Sequence, residues 1–211
     1  MVSKGEIMKK SIFFILIIFF GISLQSLDFN LVQTYTYSGD TLTNGFMDVT
    51  VAGDEIIVSN VNIHNFTKID PLTGNVIDTF LIDGIQPNDW GFDYDRNSDR
   101  LIHIFDNDWA GFAQDTIFET TTDGVITRSG IDLFDDGDDS EDISGLGYDP
   151  NTNRLWIHEW RTNSIHEIDR DGNKLTSHGV DGDTHSGLGF NPQTNTIFYV
   201  DSSNYLREMS T

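Results

Sequence analysis

The chain has 211 residues, no cysteine, and 34 acidic against 12 basic side chains, giving a formal net charge of -22 at pH 7. Its length fits one domain of ordinary size. Its charge argues against a phosphate-bearing partner such as DNA or RNA and against an anionic membrane surface. Cations and basic partners are favoured instead, although solubility alone would also explain the charge. Without cysteine the chain has neither a disulfide nor a lipoprotein attachment point.

Residues 8–26 have the pattern of a secretory signal peptide. Two lysines supply the positive start, residues 12–20 form an unbroken apolar run, and small residues follow it. We predict cleavage after Ser23 or Ser26, which makes the protein secreted or periplasmic. The apolar run is short for a membrane span, and an uncleaved amino-terminal anchor is the alternative interpretation.

Residues 1–7 do not fit a native leader. Either they were appended, since MVSKGE resembles the opening of fluorescent-protein expression vectors, or Met8 is the true start and the preceding codons contain a ribosome-binding sequence. In both cases they are excluded from the fold. The folded domain is therefore predicted to comprise residues 27–211.

Four segments of the mature chain repeat one pattern. FMDVTVAGDEIIVSN starts at Phe46, WGFDYDRNSDRLIHIFDN at Trp90, SGLGYDPNTNRLWIHEW at Ser144 and SGLGFNPQTNTIFYVDS at Ser186. Equivalent positions in the four copies are separated by 45, 54 and 42 residues, namely Glu55, Arg100, Arg154 and Thr196. A period of this length is typical of one four-stranded β-propeller blade.

Each copy divides into four strands by alternation and turn chemistry. Strand a is the short GLGY or GFDY piece, and a turn rich in Asp, Asn and Pro leads to an apolar strand b. Strand c alternates, and a hairpin ending in glycine leads to strand d. Strand b is predicted at residues 101–105, 155–160 and 197–200, and strand d at residues 76–82, 125–131 and 174–180.

The fourth copy has no strand d after residues 205–209. Residues 30–37, NLVQTYTY, resemble the strand-d sequence NVIDTF that starts at Asn75. Donation of this strand to the last blade would remove an exposed sheet edge. The predicted fold class is therefore all-β: a β-propeller of four four-stranded blades, closed by the amino-terminal strand in the last blade.

The segments GLGYDPNTNRLWI, SIHEIDRDGNKL and GLGFNPQTNTIFYV resemble the broad NHL-like and lactonase-like group of secreted repeat propellers. The resemblance covers about residues 46–211 and extends to single blades, so it implies a fold and not an activity. Members of this group usually have more than four blades. Whether this chain is a complete small ring or a piece of a larger assembly stays open.

The densest acidic run, residues 132–142, is predicted to lie in a loop between strands d and a. Oxygen ligands suit Ca²⁺, although the spacing is not that of an EF-hand loop. The candidate calcium ligands are Asp135, Asp136, Asp138 and Asp139. A solvated acidic loop is the alternative. The similar run Asp169–Gly172 is interpreted as a hairpin turn, because two other copies place a glycine at the same point.

A second candidate site lies at the ends of the b strands. Alignment of the copies places Asn60, Phe105, Glu159 and Asp201 in one column, followed one residue later by Asp106 and Trp160. Glu159 and Asp201 would belong to neighbouring blades and could share a cation. The alternative is that each side chain only caps or solvates the end of a strand.

Aromatic and histidine side chains complete the candidates. Trp90 and Trp109 each follow Asn-Asp and are predicted near the same loops, where they would bind a sugar or peptide unless they pack in the core. His166 is expected at the surface, whereas His64 and His185 could act as an acid or base. The chain has no HExxH, GxSxG or P-loop motif.

These features favour an exported, noncatalytic binding propeller with an acidic, calcium-binding face and a protein, peptide or glycan partner. The alternative is a metal-dependent, lactonase-like hydrolase or lyase with Ca²⁺ held by Asn60, Glu159 and Asp201. Because Phe105 cannot ligate a metal, the ligand column is incomplete, and binding is the preferred function. The identity of the ligand and the oligomeric state are not determined by the sequence.

Overall fold

The computed structural model describes residues 46–60, 65–82, 89–105, 115–133, 143–159, 162–180, 187–201, 203 and 205–211. They belong to one compact unit, Thr41–Thr211. The described residues form β-strands and turns without any helix, and therefore none that could span a membrane. The predicted signal peptide and closing strand, residues 8–26 and 30–37, lie outside these ranges.

Fifteen strands form four antiparallel sheets, each with its strands in sequence order, which we call blades 1 to 4. Blade 1 consists of β1 (Phe46–Ala52), β2 (Glu55–Asn60), β3 (Asn65–Ile69) and β4 (Val76–Phe80). Blade 2 consists of β5 (Asp89–Asp95), β6 (Arg100–Phe105), β7 (Thr116–Thr120) and β8 (Ile126–Asp132). Blade 3 consists of β9 (Ile143–Asp149), β10 (Arg154–Glu159), β11 (Ser164–Ile168) and β12 (Lys174–Gly179). Blade 4 has three described strands, β13 (Leu188–Asn191), β14 (Thr196–Val200) and β15 (Leu206–Ser210).

The predicted all-β, four-blade propeller is confirmed, and the predicted strands agree with the observed ones to within two residues. Polar side chains make the turns between strands a and b. The carboxylates of Asp95 and Asp149 and the amide oxygen of Asn191 each accept a backbone N–H two residues later. These turns end in left-handed residues, where Asn and Asp are tolerated, with φ of 56° to 58° at Asp99, Asn153 and Asn195.

The predicted glycine hairpins are also confirmed. Gly124 and Gly172 have φ of 83° in the turns between strands c and d, so the acidic run at Asp169 is a turn, as expected. A Cβ built on Gly172 would lie 2.7 Å from the carbonyl oxygen of Asp132. Glycine therefore allows the hairpin of blade 3 to pack against the end of strand d in blade 2.

The hydrophobic core lies between blades. One cluster joins blades 1 and 2 through side chains that include Phe66 and Phe92, and a second joins blades 2 and 3 through Ile102, Leu146 and others. A smaller cluster joins blades 3 and 4 and consists of Trp156, Ile165, Leu188 and Ile197. Trp156 thus packs between blades 3 and 4. Each of these clusters draws side chains from two neighbouring sheets, so the blades stabilise one another.

The inner strands approach one another through glycines and two carboxylates. A Cβ on Gly91 would lie 2.8 Å from the backbone nitrogen of Leu146, and one on Gly187 would lie 3.1 Å from Asp48 Oδ1. The second approach brings blade 4 to blade 1. Asp48 accepts the N–H of Phe92 in blade 2 at 3.0 Å, so its carboxylate bridges neighbouring inner strands.

Asp93 has the corresponding role in blade 2. Its carboxylate accepts the Thr50 hydroxyl of blade 1 and the Tyr148 N–H of blade 3, both at 2.7 Å. Burial raises the pKa of Asp93, although these hydrogen bonds oppose the rise. Two short acidic side chains therefore connect three consecutive blades.

Candidate functional site

The strand pairing confirms the predicted column at the ends of the b strands. Asn60, Phe105 and Glu159 are the last residues of β2, β6 and β10, and each pairs with the first residue of the following strand c. Asp201 directly follows β14. All four side chains are buried, with exposed fractions of 1%, 3%, 5% and 6%.

Glu159 is bound within its own blade. Its Oε2 lies 2.8 Å from His166 Nε2, and His166 Nδ1 lies 2.8 Å from the Ser177 hydroxyl. Burial raises the pKa of Glu159, but hydrogen bonds from His166 and Thr162 outweigh that effect and hold the pKa below its usual value. The three strands β10, β11 and β12 are connected by this chain of polar contacts.

The expectation that His166 lies at the surface is wrong, because the residue is only 4% exposed. Alternation along β11 places His166 on the same face as Ile168, and Ile168 belongs to the core between blades 2 and 3. Both faces of a propeller blade are covered by neighbours. Residues that alternate along strand c therefore face one neighbouring blade or the other, and the alternation does not distinguish core from solvent.

Asp201 is bound in blade 4. Its Oδ1 accepts the N–H groups of Ser203 and Tyr205, each at 2.9 Å, and Arg207 donates to its Oδ2 at 2.6 Å. The Tyr205 hydrogen bond and then Arg207 hold the pKa of Asp201 below its usual value. Glu159 and Asp201 thus each have a partner in their own blade. Among the described residues, no group of three or more acidic or histidine side chains could hold a metal ion.

A serine–histidine contact in blade 3 is structural. Ser144 Oγ lies 2.7 Å from His158 Nδ1, but the two residues are only 4% and 1% exposed. A nucleophile and base must reach a substrate, and this pair is enclosed by the sheet. His103 is similarly buried and contacts the Thr120 hydroxyl at 2.9 Å.

Several predicted site residues lie outside the described residues. Of Trp90, only the backbone is described, within β5. The remaining candidates in the loops are in the undescribed ranges: Asp106, Trp109, Trp160, His64, His185 and the proposed calcium ligands Asp135, Asp136, Asp138 and Asp139. The calcium and ligand predictions for these residues stay predictions.

The sequence interpretation missed a cleft of about 260 Å³ between blades 3 and 4. Its wall in blade 3 includes Asp149, Trp156, Glu167 and His178, and its wall in blade 4 includes Asn195 and Thr211. The indole of Trp156 and the ring of His178 lie 5.9 Å apart in a tilted arrangement. A comparison of acidic positions between copies would have identified two of its residues, since Asp95 and Glu119 of the second copy recur as Asp149 and Glu167.

No family model and no curated protein matches the chain. Among solved structures it is similar to the computationally designed Ika4 protein, with 14% identity and a TM-score of 0.48 over 83% of this chain and 95% of that one. It is also similar to a chain of the Mitotic Checkpoint Complex, with 11% identity and a TM-score of 0.49 over 78% of this chain and 47% of that one. At these values the likenesses carry no argument about activity or partner. The resemblance to the NHL-like and lactonase-like group stays a prediction.

Proposed function

We propose that this protein is an exported, noncatalytic binding propeller that presents an acidic surface to cations and basic partners and binds Ca²⁺ in its acidic loop. The observation that carries this function is that the two carboxylates at the ends of the b strands, which the lactonase-like alternative needs as calcium ligands, already have partners. Glu159 is bound by a buried histidine and Asp201 by an arginine, so both act as structural groups within their blades. A scaffold whose carboxylates are already bound is suited to recognition through its loops and edges.

Charge supports the same function. The sequence carries 34 acidic residues against 12 basic ones, and many of the acidic residues fall in the connections between blades. Such a surface attracts basic partners over a distance set by ionic strength. The proposal includes Asp135, Asp136, Asp138 and Asp139 as calcium ligands, because a run of carboxylates is the donor set that Ca²⁺ prefers.

The melting temperature measured in millimolar CaCl₂ and in NaCl of equal ionic strength tests calcium binding. An ion that binds only the folded state stabilises it by about 2.7 kcal/mol at a hundredfold excess over Kd. For a domain of this size that corresponds to a rise of several degrees. We expect calcium to raise the melting temperature well above the sodium value.

Two variants locate the ion. Replacement of the four loop aspartates by Asn is expected to abolish the difference between the salts, whereas Glu159→Gln with Asp201→Asn is expected to preserve it. Loss of the difference only in the second variant would favour the lactonase-like alternative, which places Ca²⁺ at the ends of the b strands. Equal melting temperatures of the unmutated protein in the two salts would contradict calcium binding and leave a solvated acidic loop.

A further inference from the structure

A guanidinium group occupies the junction between blades 2 and 3. Arg170, in the c–d turn of blade 3, extends toward blade 2, where Nη1 lies 3.1 Å from Asp95 Oδ2 and Nη2 lies 2.6 Å from Glu119 Oε1. The three side chains are only 12%, 5% and 12% exposed. Two carboxylates from one blade thus hold one arginine from the next, and Glu119 Oε1 also accepts Arg128 of its own blade at 3.3 Å.

The same two carboxylates recur at the junction between blades 3 and 4. Asp149 is the last residue of β9, as Asp95 is the last residue of β5. In the strand register, each lies opposite the arginine that begins strand b of its blade. Glu167 pairs with Trp156 as Glu119 pairs with Ile102, at equivalent positions of strands b and c. Both acidic side chains line the cleft of about 260 Å³, Asp149 from a buried position and Glu167 from a half-buried one.

The residue that corresponds to Arg170 is Thr211. Ile168 and Met209 pair with equivalent residues of strand b in blades 3 and 4. Arg170 lies two positions after Ile168, and Thr211 lies two positions after Met209. Threonine cannot neutralise a carboxylate. Within the portion of the chain that the structure describes, neither Asp149 nor Glu167 has an ion-pair partner, although Thr176 donates a hydrogen bond to Glu167 at 3.3 Å.

The turn bonds of Asp149 do not prevent it from accepting a cation. Asp149 accepts the Asn151 N–H and the Thr152 hydroxyl. Asp95 accepts the same pair of groups, from Asn97 and Ser98, and still binds Arg170. A carboxylate has about four acceptor positions, so two turn bonds leave room for a guanidinium.

From this correspondence we infer that the cleft between blades 3 and 4 binds the guanidinium of an arginine on a basic partner. The inference rests on the proposed binding function and names its ligand class and location. Two carboxylates on one side of a cleft suit the planar, multiply donating guanidinium better than a single ammonium group. Trp156 replaces the aliphatic Ile102 of the occupied junction and lines the cleft with an aromatic ring, which attracts a cation.

Isothermal titration with the peptide acetyl-Gly-Gly-Arg-Gly-Gly-amide tests the site on the full chain. The matched peptide with citrulline in place of arginine keeps the shape and removes the charge. We expect the arginine peptide to bind and the citrulline peptide to bind at least tenfold more weakly. Absence of arginine-peptide binding to the unmutated protein would overturn the inference.

Glu167→Gln removes one carboxylate of the cleft, and Glu208→Gln is its matched control. Glu208 occupies the same position of strand c in blade 4 and is exposed. We expect Glu167→Gln to weaken arginine-peptide binding at least tenfold and Glu208→Gln to change it less than twofold. Equal effects of the two substitutions would indicate only general attraction to a negative surface and would refute the cleft as the site.

Thr211→Arg supplies the missing guanidinium from the chain itself. This substitution is expected to raise the melting temperature and to abolish peptide binding, and Glu167→Gln in the same chain is expected to remove the stabilisation. Binding that persists at full strength in Thr211→Arg would place the peptide elsewhere.

The calcium experiment separates this inference from the proposed function. A calcium response that survives Glu167→Gln while the arginine peptide does not bind would leave the proposed function standing and reject the cleft. Loss of the calcium response in Glu167→Gln would show that the cleft holds a metal ion, which also rejects the inference.

Discussion

Blades 3 and 4 have the same strand order, but their third strands lie in different environments. β11 is paired on both edges and is largely buried, whereas β15 pairs with β14 alone among the described strands and is largely exposed. Ile165 in β11 is fully buried, and the equivalent Leu206 in β15 is 38% exposed. The strand by itself does not decide its burial. Burial of β11 follows from a fourth strand at its edge and from the core cluster that Ile165 shares with Leu188 and Ile197 of blade 4.

The connections between blades indicate what completes blade 4. Strand d is followed by strand a after eight residues from blade 1 to 2 (81–88), ten from blade 2 to 3 (133–142) and eight from blade 3 to 4 (180–187). The predicted closing strand, residues 30–37, precedes β1 by eight residues (38–45). The predicted closing strand is thus separated from β1 by the same number of residues that separates strand d from strand a of the next blade in two of the three connections.

The largest effect on the difference between blades 3 and 4 is expected from removal of the predicted closing strand. A chain that starts at Thr43 is expected to leave the edge of β15 open and to aggregate or dimerise, because an unpaired edge accepts another strand. Size-exclusion chromatography with light scattering measures this against a control chain that starts at Leu27. A truncated chain that stays monomeric, with an unchanged melting curve, would contradict closure by residues 30–37.

The next largest effect comes from a matched pair of core truncations. Ile165→Ala removes a fully buried side chain and is expected to lower the free energy of unfolding by about 2–5 kcal/mol. Leu206→Ala, at the equivalent exposed position, is expected to cost about 0.5 kcal/mol or less. Urea unfolding of both variants measures the difference. Similar losses would mean that β15 is covered as fully as β11.

The carboxylates at the ends of the b strands give a smaller contrast. Glu159 binds His166 in the interior, and we expect Glu159→Gln to cost about 1.5–3 kcal/mol, the range for hydrogen bonds to charged groups. Asp201 binds the half-exposed Arg207, so Asp201→Asn should cost less, and added NaCl should reduce its effect. Unfolding at low and high salt distinguishes the two. A larger loss in Asp201→Asn would reverse the contrast.

The pH dependence of stability gives the smallest effect. Because the pKa of Glu159 in the folded protein lies below its usual value of 4.5, its contribution is fully present above that pH. The contribution is lost as the pH falls below about 4.5 toward the lowered pKa. Chemical unfolding between pH 6 and pH 3, values chosen on either side of the usual pKa, is expected to show a shallower fall in Glu159→Gln. An identical fall in both proteins would mean that the His166 contact does not stabilise the ionised form.

The repeat pattern was enough to predict the blades and their register. Turn residues such as Asp149 and Gly172 act locally, through an Asx bond and a positive φ, so their positions could be read from the chain. The column of Asn60, Phe105, Glu159 and Asp201 followed from the same alignment. The partners of these side chains could not be predicted. His166 and Arg207 lie on the adjacent strand c, and the orientation of their side chains depends on the neighbouring blades.

The sequence by itself determined the all-β class, the four copies and the turns, because these depend on interactions between residues close along the chain. Only the tertiary structure decided that His166 is buried and that Arg170 of blade 3 neutralises Asp95 and Glu119 of blade 2. It alone brought Asp149, Glu167 and Thr211 to one cleft. The physical reason is that neighbouring blades bury their faces against each other, so the environment of a side chain is set by residues far away along the chain.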